Sequence, residues 1–439
     1  MTDWLPGTGR RILALGLFAG LIGVVTIVQG TANILHAPTD SDLLVYFLPA
    51  AERIADGRPF EIYDIHNPNG ALITLTPLSL FWLAGPLAAA RALGVSDVVS
   101  CLSASFGTLD CRTLVWLGGL AFLPFVLALG ALAAAAARFL NPRLGRDDAL
   151  LVAALVVLSP LLWLTFTMWW HPEQVLMLCF LLAGAWQLQR RRGIVAGVLF
   201  GLALLTRLTA LGPVAVLVVL LATDRSWQLL GRVVAGTAVV AGVGMLPYLV
   251  VDGSNTIQAL LLSNGQFPIT NSIWAFVRST PIGDVVQAAD RPLVLGLTVA
   301  MTMVAAYWRR VTAMSTGAWA LMALALMLVV LFGKRTWPYY YAEPFLFLVV
   351  WEIAARGGLS LGGWRWPAIS LVYLAVAATL AQFMGLPSIS GGGAVLRLMA
   401  LAQFVGIGAI ALAVWRTLRD RPDAPESGGG PGVAAAPTV

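Results

Sequence analysis

The sequence predicts an all-α, polytopic transmembrane fold of about twelve spans, and three observations predict it. First, hydrophobic residues make up 59% of the 439 and charged residues only 11%; soluble domains carry about 25% charged residues. A soluble globule of this composition could not clothe its surface. Second, the apolar residues run in blocks of about 17–25, the length a bilayer-spanning helix needs. No alternating pattern suggests a barrel, and a helix satisfies its own backbone in lipid. Third, the basic residues fall in short clusters between these blocks, as membrane topology requires. The formal charge of +6 resides in such clusters and is not a nucleic-acid signal. Of the 27 basic residues all but Lys334 are Arg, a bias that GC-rich codon usage produces.

The clusters set the threading. Arg10/Arg11, Arg138/Arg143/Arg146, Arg190 to Arg192, Arg225/Arg232, Arg309/Arg310, Arg356/Arg365 and Arg416/Arg419/Arg421 are placed in the cytoplasm by the positive-inside rule. Parity then gives spans at 12–31, 113–137, 149–169, 174–189, 193–207, 208–222, 233–251, 292–308, 316–332, 342–355, 366–384 and 395–415. The block from Ile12 to Gln29 is long for a signal peptide and lacks a convincing cleavage site, so it reads as a retained helix. Spans 193–207 and 208–222 are short; one long helix there would put Arg190 to Arg192 and Arg225 on opposite sides, so a hairpin with Arg207 near its outer tip is preferred.

Two extracytoplasmic loops result, 32–112 and 252–290, within a membrane domain of residues 1–419. Segment 72–93 is apolar enough to span, but parity makes it re-entrant or interfacial, shaped by Pro77 and Pro86. Cys101 and Cys111 fall in the first loop, where either a disulfide or two buried thiols fits. Cys179 is mid-span and reads as packing. Residues 420–439, rich in Pro, Gly, Ala and Ser, cannot bury a core and read as a disordered cytoplasmic tail. No internal repeat is visible.

Acidic residues and all three His (His36, His66, His171) collect on the outer side of this threading, which suggests a cavity there. The densest segment starts at Asp40 and Asp42, passes Tyr46 and reaches Tyr63. Leu43, Phe47, Ala50, Ala51 and Ile54 form a stripe at helical spacing, suited to an interfacial helix. Asp40 or Asp42 is then either a helix cap or a functional carboxylate. His171-Pro172-Glu173, after Trp163, Trp169 and Trp170, reads either as a turn with a capping Glu or as a polar site behind an aromatic belt. Arg207 interrupts an apolar run; it either snorkels or faces a cavity suited to an anionic headgroup. Lys334, Arg335, Tyr339, Tyr340 and Glu343 read as an aromatic belt or as cations and phenols for a phosphate.

The chain contains no Walker loop, no Gly-rich dinucleotide turn, no HExxH and no nucleophile elbow, so an ATP-driven or soluble-cofactor enzyme is not expected. No cofactor or metal site is predicted.

These pieces resemble the GT-C superfamily of membrane glycosyltransferases, above all the bacterial family 87 branch with its polyprenyl-phosphate-mannose-dependent mannosyltransferases. Asp42, Tyr46, Ala50-Ala51, Gly57 and Tyr63 follow the order of that family's first outer loop. Trp170 to Gln174 resembles its polar hairpin tip. Arg191 to Gly197, Gly201 and Thr206-Arg207 resemble its glycine-bearing helix ending in a basic residue. Tyr340 to Pro344, with Glu352 later, completes the set. The chain departs from the family where Leu75-Thr76-Pro77-Leu78 replaces a Tyr-x-Pro-Pro, and in an apparent insertion before Cys111; both bear on the acceptor. The resemblance implies inverting transfer of a sugar, mannose or similar, from a polyprenyl-phosphate donor to a glycolipid or glycan acceptor hydroxyl, outside the inner membrane and among its lipids. On that reading Asp42 is the base and Arg207 with Lys334 or Arg335 meets the phosphate. His171 and Glu173 orient donor or acceptor, beside Asp40, Tyr46, Tyr63, Tyr339, Tyr340 and Glu343. A flippase for lipid-linked sugars and a non-catalytic scaffold are the rival classes; a transporter would show repeats and midplane charges.

Overall fold

The structure, a computed structural model, describes residues 47–65, 76–92, 109–167, 171–262, 269, 271–355, 359–361, 364–384 and 393–420. The expectations for span 12–31, Asp40, Asp42, Tyr46, the Cys101–Cys111 pairing and the tail from 421 lie outside those residues. What is described is a multi-pass helical membrane protein. Five helices are long and apolar enough to cross a membrane, and five shorter apolar ones pack among them.

The elements run as α1 (Leu48–Ala55), α2 (Pro77–Ala92), α3 (Leu109–Leu140), α4 (Arg146–Val157), α5 (Pro160–Thr167), α6 (Glu173–Gln189) and α7 (Gly193–Thr206). They continue as α8 (Leu211–Thr223), α9 (Trp227–Ile257), α10 (Pro281–Arg309), α11 (Gly317–Phe332), α12 (Ala342–Ala354), α13 (Ala368–Met384) and α14 (Gly393–Asp420). Short 3-10 turns occupy Ile62–Asp64, Leu208–Ala210, Ile273–Phe276 and Pro338–Tyr341. Every described span expected from hydropathy has its helix. The expected span 149–169 is broken into α4 and α5, because Pro160 lacks the N–H that would continue the ladder. The fold is all-α, with one small antiparallel hairpin between helices, β1 (Leu359–Leu361) with β2 (Trp364–Trp366), in register Leu359 with Trp366. The 252–290 loop is shorter than expected, since α9 continues to Ile257 past a break at Asp252, and α10 starts at Pro281, with a second break at Ala289.

Hydrogen bonds sort the helix ends into two sets. Asn141 Nδ2 donates to the Ala354 carbonyl at 2.8 Å, Gln189 Nε2 to the Ala313 carbonyl at 2.9 Å, and the Ala313 amide to Asp224 Oδ2 at 2.8 Å. Arg309 lies over the Trp415 ring. These contacts gather the Arg-rich turns at one end. Arg191, Arg225 and Arg310 close turns there in the left-handed region, at φ of 58°, 55° and 54°. Glycine would adopt that conformation with less strain, so charge placement outweighs backbone ease at this end. The opposite end gathers the start of α6, the α7–α8 break, the Pro338–Tyr341 turn and the start of α12. A second, smaller core of Phe47, Ala50, Ala51, Ile62, Tyr63, Leu80, Leu83 and Tyr248 joins α1 and α2 to α9.

The hairpin around Arg207 is set by glycines. A Cβ on Gly197 would lie 2.3 Å from the Val233 carbonyl, and one on Gly236 2.7 Å from the Ile194 carbonyl, so α7 and α9 pack backbone to backbone. Small residues drive such contacts in membranes, and Thr237 Oγ1 adds a bond to the Gly197 carbonyl at 3.1 Å. Gly197→Ala is therefore expected to lower stability by about 1–3 kcal/mol, the usual range for overpacking. Gly231→Ala, where a Cβ meets nothing within 4 Å, should leave it unchanged; thermal unfolding in detergent, run side by side, checks both.

Candidate functional site

The site grows from two helix starts and one helix break. Pro172 ends the incoming turn and starts α6, so Glu173 and Gln174 sit in its first turn. Glu343 occupies the first turn of α12, with Pro344 tolerated there because the first-turn amides need no helix partner. Carboxylates suit these positive helix ends. Between α7 and α8 the backbone of Arg207 is extended, at φ −164° and ψ 133°, which turns its side chain out of the helix line.

All three meet. Arg207 Nη1 donates to Glu173 Oε1, and Arg207 Nε stands 3.2 Å from Glu343 Oε1, an ion pair too bent to count as a hydrogen bond. Glu343 Oε1 also accepts from Gln174 Nε2 and Thr209 Oγ1, each at 3.1 Å. Both carboxylates are 1% exposed and the Arg207 side chain 11%. His171 Nδ1 lies 2.7 Å from Glu173 Oε1 and 3.4 Å from Arg207 Nη1. An ionised carboxylate can only accept, so the short contact to Glu173 has Nδ1 as its protonated nitrogen, and the longer approach to Nη1 is donor beside donor. Arg207 Nη2 has no hydrogen-bond partner among the described residues.

Aromatic rings cover the cluster. The His171 ring is 3.8 Å from that of Tyr339 and 5.7 Å, edge-on, from Phe47. The Arg207 guanidinium lies 5.2 Å from the Tyr339 ring and 5.0 Å from Tyr340, close enough for cation–π attraction.

Of the residues singled out in the sequence, His171, Glu173, Arg207, Tyr339, Tyr340 and Glu343 are thus brought together. Lys334 and Arg335 sit in a different neighbourhood. Lys334 is fully buried; its ammonium donates to the Gln287 carbonyl at 2.8 Å and its amide to Asp290 Oδ2 at 3.2 Å. Burial pushes that ammonium down to about 8, with Asp290 opposing. Arg335 lies over the Trp337 ring at 5.6 Å. Tyr63 belongs to the second core, its ring 5.5 Å from Tyr248. Burial raises its hydroxyl above the ordinary tyrosine range.

Sequence reasoning missed Thr209 and Phe47, and gave no role to Gln174, the last residue of the Trp170 to Gln174 motif. Gln174 reads as one polar residue opening an apolar span. Thr209 reads as an ordinary helix residue. Phe47 reads as one member of an apolar stripe. Only their contacts across 169, 134 and more than 100 residues of chain reveal them. Glu352, part of the family-like pattern, serves the scaffold. It accepts from the Ile369 amide at 3.0 Å and from the Ser370 amide and hydroxyl at 2.8 Å each, capping α13. Among the described residues no three His, Cys, Asp or Glu are placed to hold a metal ion.

Removing Arg207 would leave two buried carboxylates without their cation, and breaking a buried pair costs about 3–5 kcal/mol. Arg207→Met is expected to lower the thermal midpoint sharply, and a second change, Glu173→Gln, to recover a good part of the loss. An unchanged midpoint in Arg207→Met would show that the cluster is solvated rather than buried.

No family model matches this sequence, and no curated protein is similar to it. Among solved structures, one similar chain is ArnT from Cupriavidus metallidurans, in a crystal structure with bound undecaprenyl phosphate. The likeness has 15% identity and a TM-score of 0.44, over 94% of this chain and 79% of that one. At that score the likeness is loose, and neither a fold family nor a ligand transfers to this chain on its strength.

Proposed function

We propose that this protein is an inverting glycosyltransferase of GT-C type that moves a hexose, mannose or a close relative, from a polyprenyl-phosphate donor to a glycolipid or glycan hydroxyl. The reaction takes place on the extracytoplasmic face of the inner membrane. The observation that carries the reading is the convergence of three motif-bearing segments on one buried cluster. His171 to Gln174, Arg207 and Tyr339 to Glu343 are far apart in sequence, yet they meet at one helix end. Phe47 packs on His171 as well. It lies five residues after Asp42, a length of chain that spans at most about 18 Å, so the first-loop motif is within reach of the same place.

The proposed chemistry needs one base and one cation. Asp42 accepts the proton of the acceptor hydroxyl as its oxygen attacks the anomeric carbon on the face opposite the phosphate. The bond from that carbon to the phosphate oxygen breaks, and polyprenyl phosphate leaves with the electron pair. Arg207 Nη2 meets the departing phosphate, the sort of preorganised charge that stabilises a developing anion. Nη1 and Nε are committed to Glu173 and Glu343, so the guanidinium is held in one orientation before the donor arrives. Lys334, bonded to Gln287, braces the loop that carries Tyr339 and Tyr340, and Arg335, held over Trp337, stands apart from the cluster. Asp40, Tyr46 and Tyr63 complete the acceptor side in this reading.

Asp42→Asn keeps the shape of the side chain and removes its basicity, so sugar transfer from a polyprenyl-phosphate hexose in nanodiscs should fall about 100- to 10,000-fold. Asp40→Asn, assayed beside it, should retain most activity. Full turnover by Asp42→Asn would sink the assignment, and a dead Asp40→Asn would move it to the neighbouring carboxylate.

The sidedness has its own test. Ile282 is 58% exposed near the site end, and Arg191 is exposed at the Arg-rich end. In a background without native cysteines, Ile282→Cys should react with an impermeant maleimide added to intact cells, and Arg191→Cys only after lysis. The reverse pattern would turn the molecule over and place the site in the cytoplasm.

A further inference from the structure

The Arg207 cluster holds buried acceptor oxygens that its own donors do not reach. Glu173 Oε2 and Gln174 Oε1 are fully buried and neither has a hydrogen-bond partner among the described residues. On Glu343, Gln174 and Thr209 donate to Oε1 and Arg207 pairs with it. Two buried acceptor oxygens, Glu173 Oε2 and Gln174 Oε1, therefore stand beside one guanidinium without a partner among the described residues. Leaving a buried polar group unpaired costs about 1–3 kcal/mol each, so a native protein keeps such a set only where something else supplies the donors. Gln174 makes the pattern specific. Its amide is entirely buried and points its nitrogen at Glu343, so its oxygen cannot be turned to solvent without breaking that bond.

The missing partner is donor-rich. A phosphate offers only acceptors at neutral pH and would be repelled by these oxygens. A sugar ring offers several hydroxyl donors a few ångströms from its own phosphate, which matches two buried acceptors beside a cation with one free edge. We infer that Glu173 Oε2 and Gln174 Oε1 form the subsite for the hydroxyls of the transferred hexose, with Gln174 as a specificity-determining residue. This rests on the glycosyltransferase reading and names which part of the donor the cluster holds. The half-buried Tyr340 ring lies over the guanidinium, and the sugar reaches the oxygens by displacing it. A site built to bond a hydroxyl rejects the analogue that lacks it far more strongly than an apolar site rejects a size change.

The test compares two lipids on the full chain in nanodiscs: polyprenyl phosphate, and the same lipid carrying a hexose. Gln174→Met keeps the size of the side chain and removes the acceptor. It is expected to weaken binding of the glycosylated lipid about 10- to 100-fold, the effect of one lost bond to a buried group, and to change binding of the bare phosphate lipid by less than about 3-fold. Equal weakening of both lipids, or of neither, would overturn the subsite. If Gln174→Met does not fold, donors deoxygenated one position at a time on the native protein decide the matter: at least one should lose about 10-fold or more, and a flat series would refute the inference. Failure of the broader reading looks different, because the native protein would then bind neither lipid.

Discussion

A cation placed among apolar helices must find negative charge or leave, and the arrangement of this end of the molecule follows from that constraint on Arg207. Two carboxylates at helix starts supply the charge, Glu173 from α6 and Glu343 from α12. They are 170 residues apart in the chain, so the pairing fixes the relative depth of α6, the α7–α8 break and α12. The glycine contact of α7 with α9 then sets how close the hairpin lies to its neighbour. An Arg at the same place in an unbroken helix would have pointed along the helix surface toward lipid. The extended backbone at residue 207 lets the side chain turn inward instead.

Rigidity is the functional consequence. The guanidinium is held at Nη1 and Nε, and rings lie on it at 5.2 and 5.0 Å. Catalysis gains from charge that is already oriented when the reaction begins, since nothing has to reorganise at the transition state. The same holds for His171, whose Nδ1 is committed to Glu173 and whose ring packs between Phe47 and Tyr339.

The spans were legible because hydrophobic length and Arg clustering are local signals. Even the short pair 193–207 and 208–222, argued only from the parity of flanking Arg residues, matches the break that α7 and α8 make at Arg207. Legibility failed where the signal is not local. The break at Ser159–Pro160 needed a decision between a kinked and a divided helix, and Pro alone does not decide it. Glu352 looked like part of a functional pattern, yet its partners are two amides and a hydroxyl 17 and 18 residues onward. Lys334 stood out as the single lysine of the chain; the structure gives its ammonium a backbone carbonyl, and so a place in the scaffold. Gln174 was legible only as the last residue of the Trp170 to Gln174 motif; its bond to Glu343, 169 residues on, is what gives it a role.

Glu352 also supplies the contrast that separates scaffold from site. Both of its oxygens are used, by groups that the fold holds in place, and a carboxylate so satisfied has nothing left to offer a ligand. Asp224 is similar, tied to the Ala313 amide at the Arg-rich end. Glu173 and Gln174 are buried as deeply but keep one oxygen each without a partner among the described residues. Burial alone therefore does not mark the site. Unsatisfied burial does, because the cost of leaving such atoms unpaired is borne by every folded molecule, and binding a donor-rich ligand removes it. That places the recognition of substrate in the same free-energy balance as the stability of the ligand-free protein: a variant that satisfied these oxygens internally would be more stable and would bind less well.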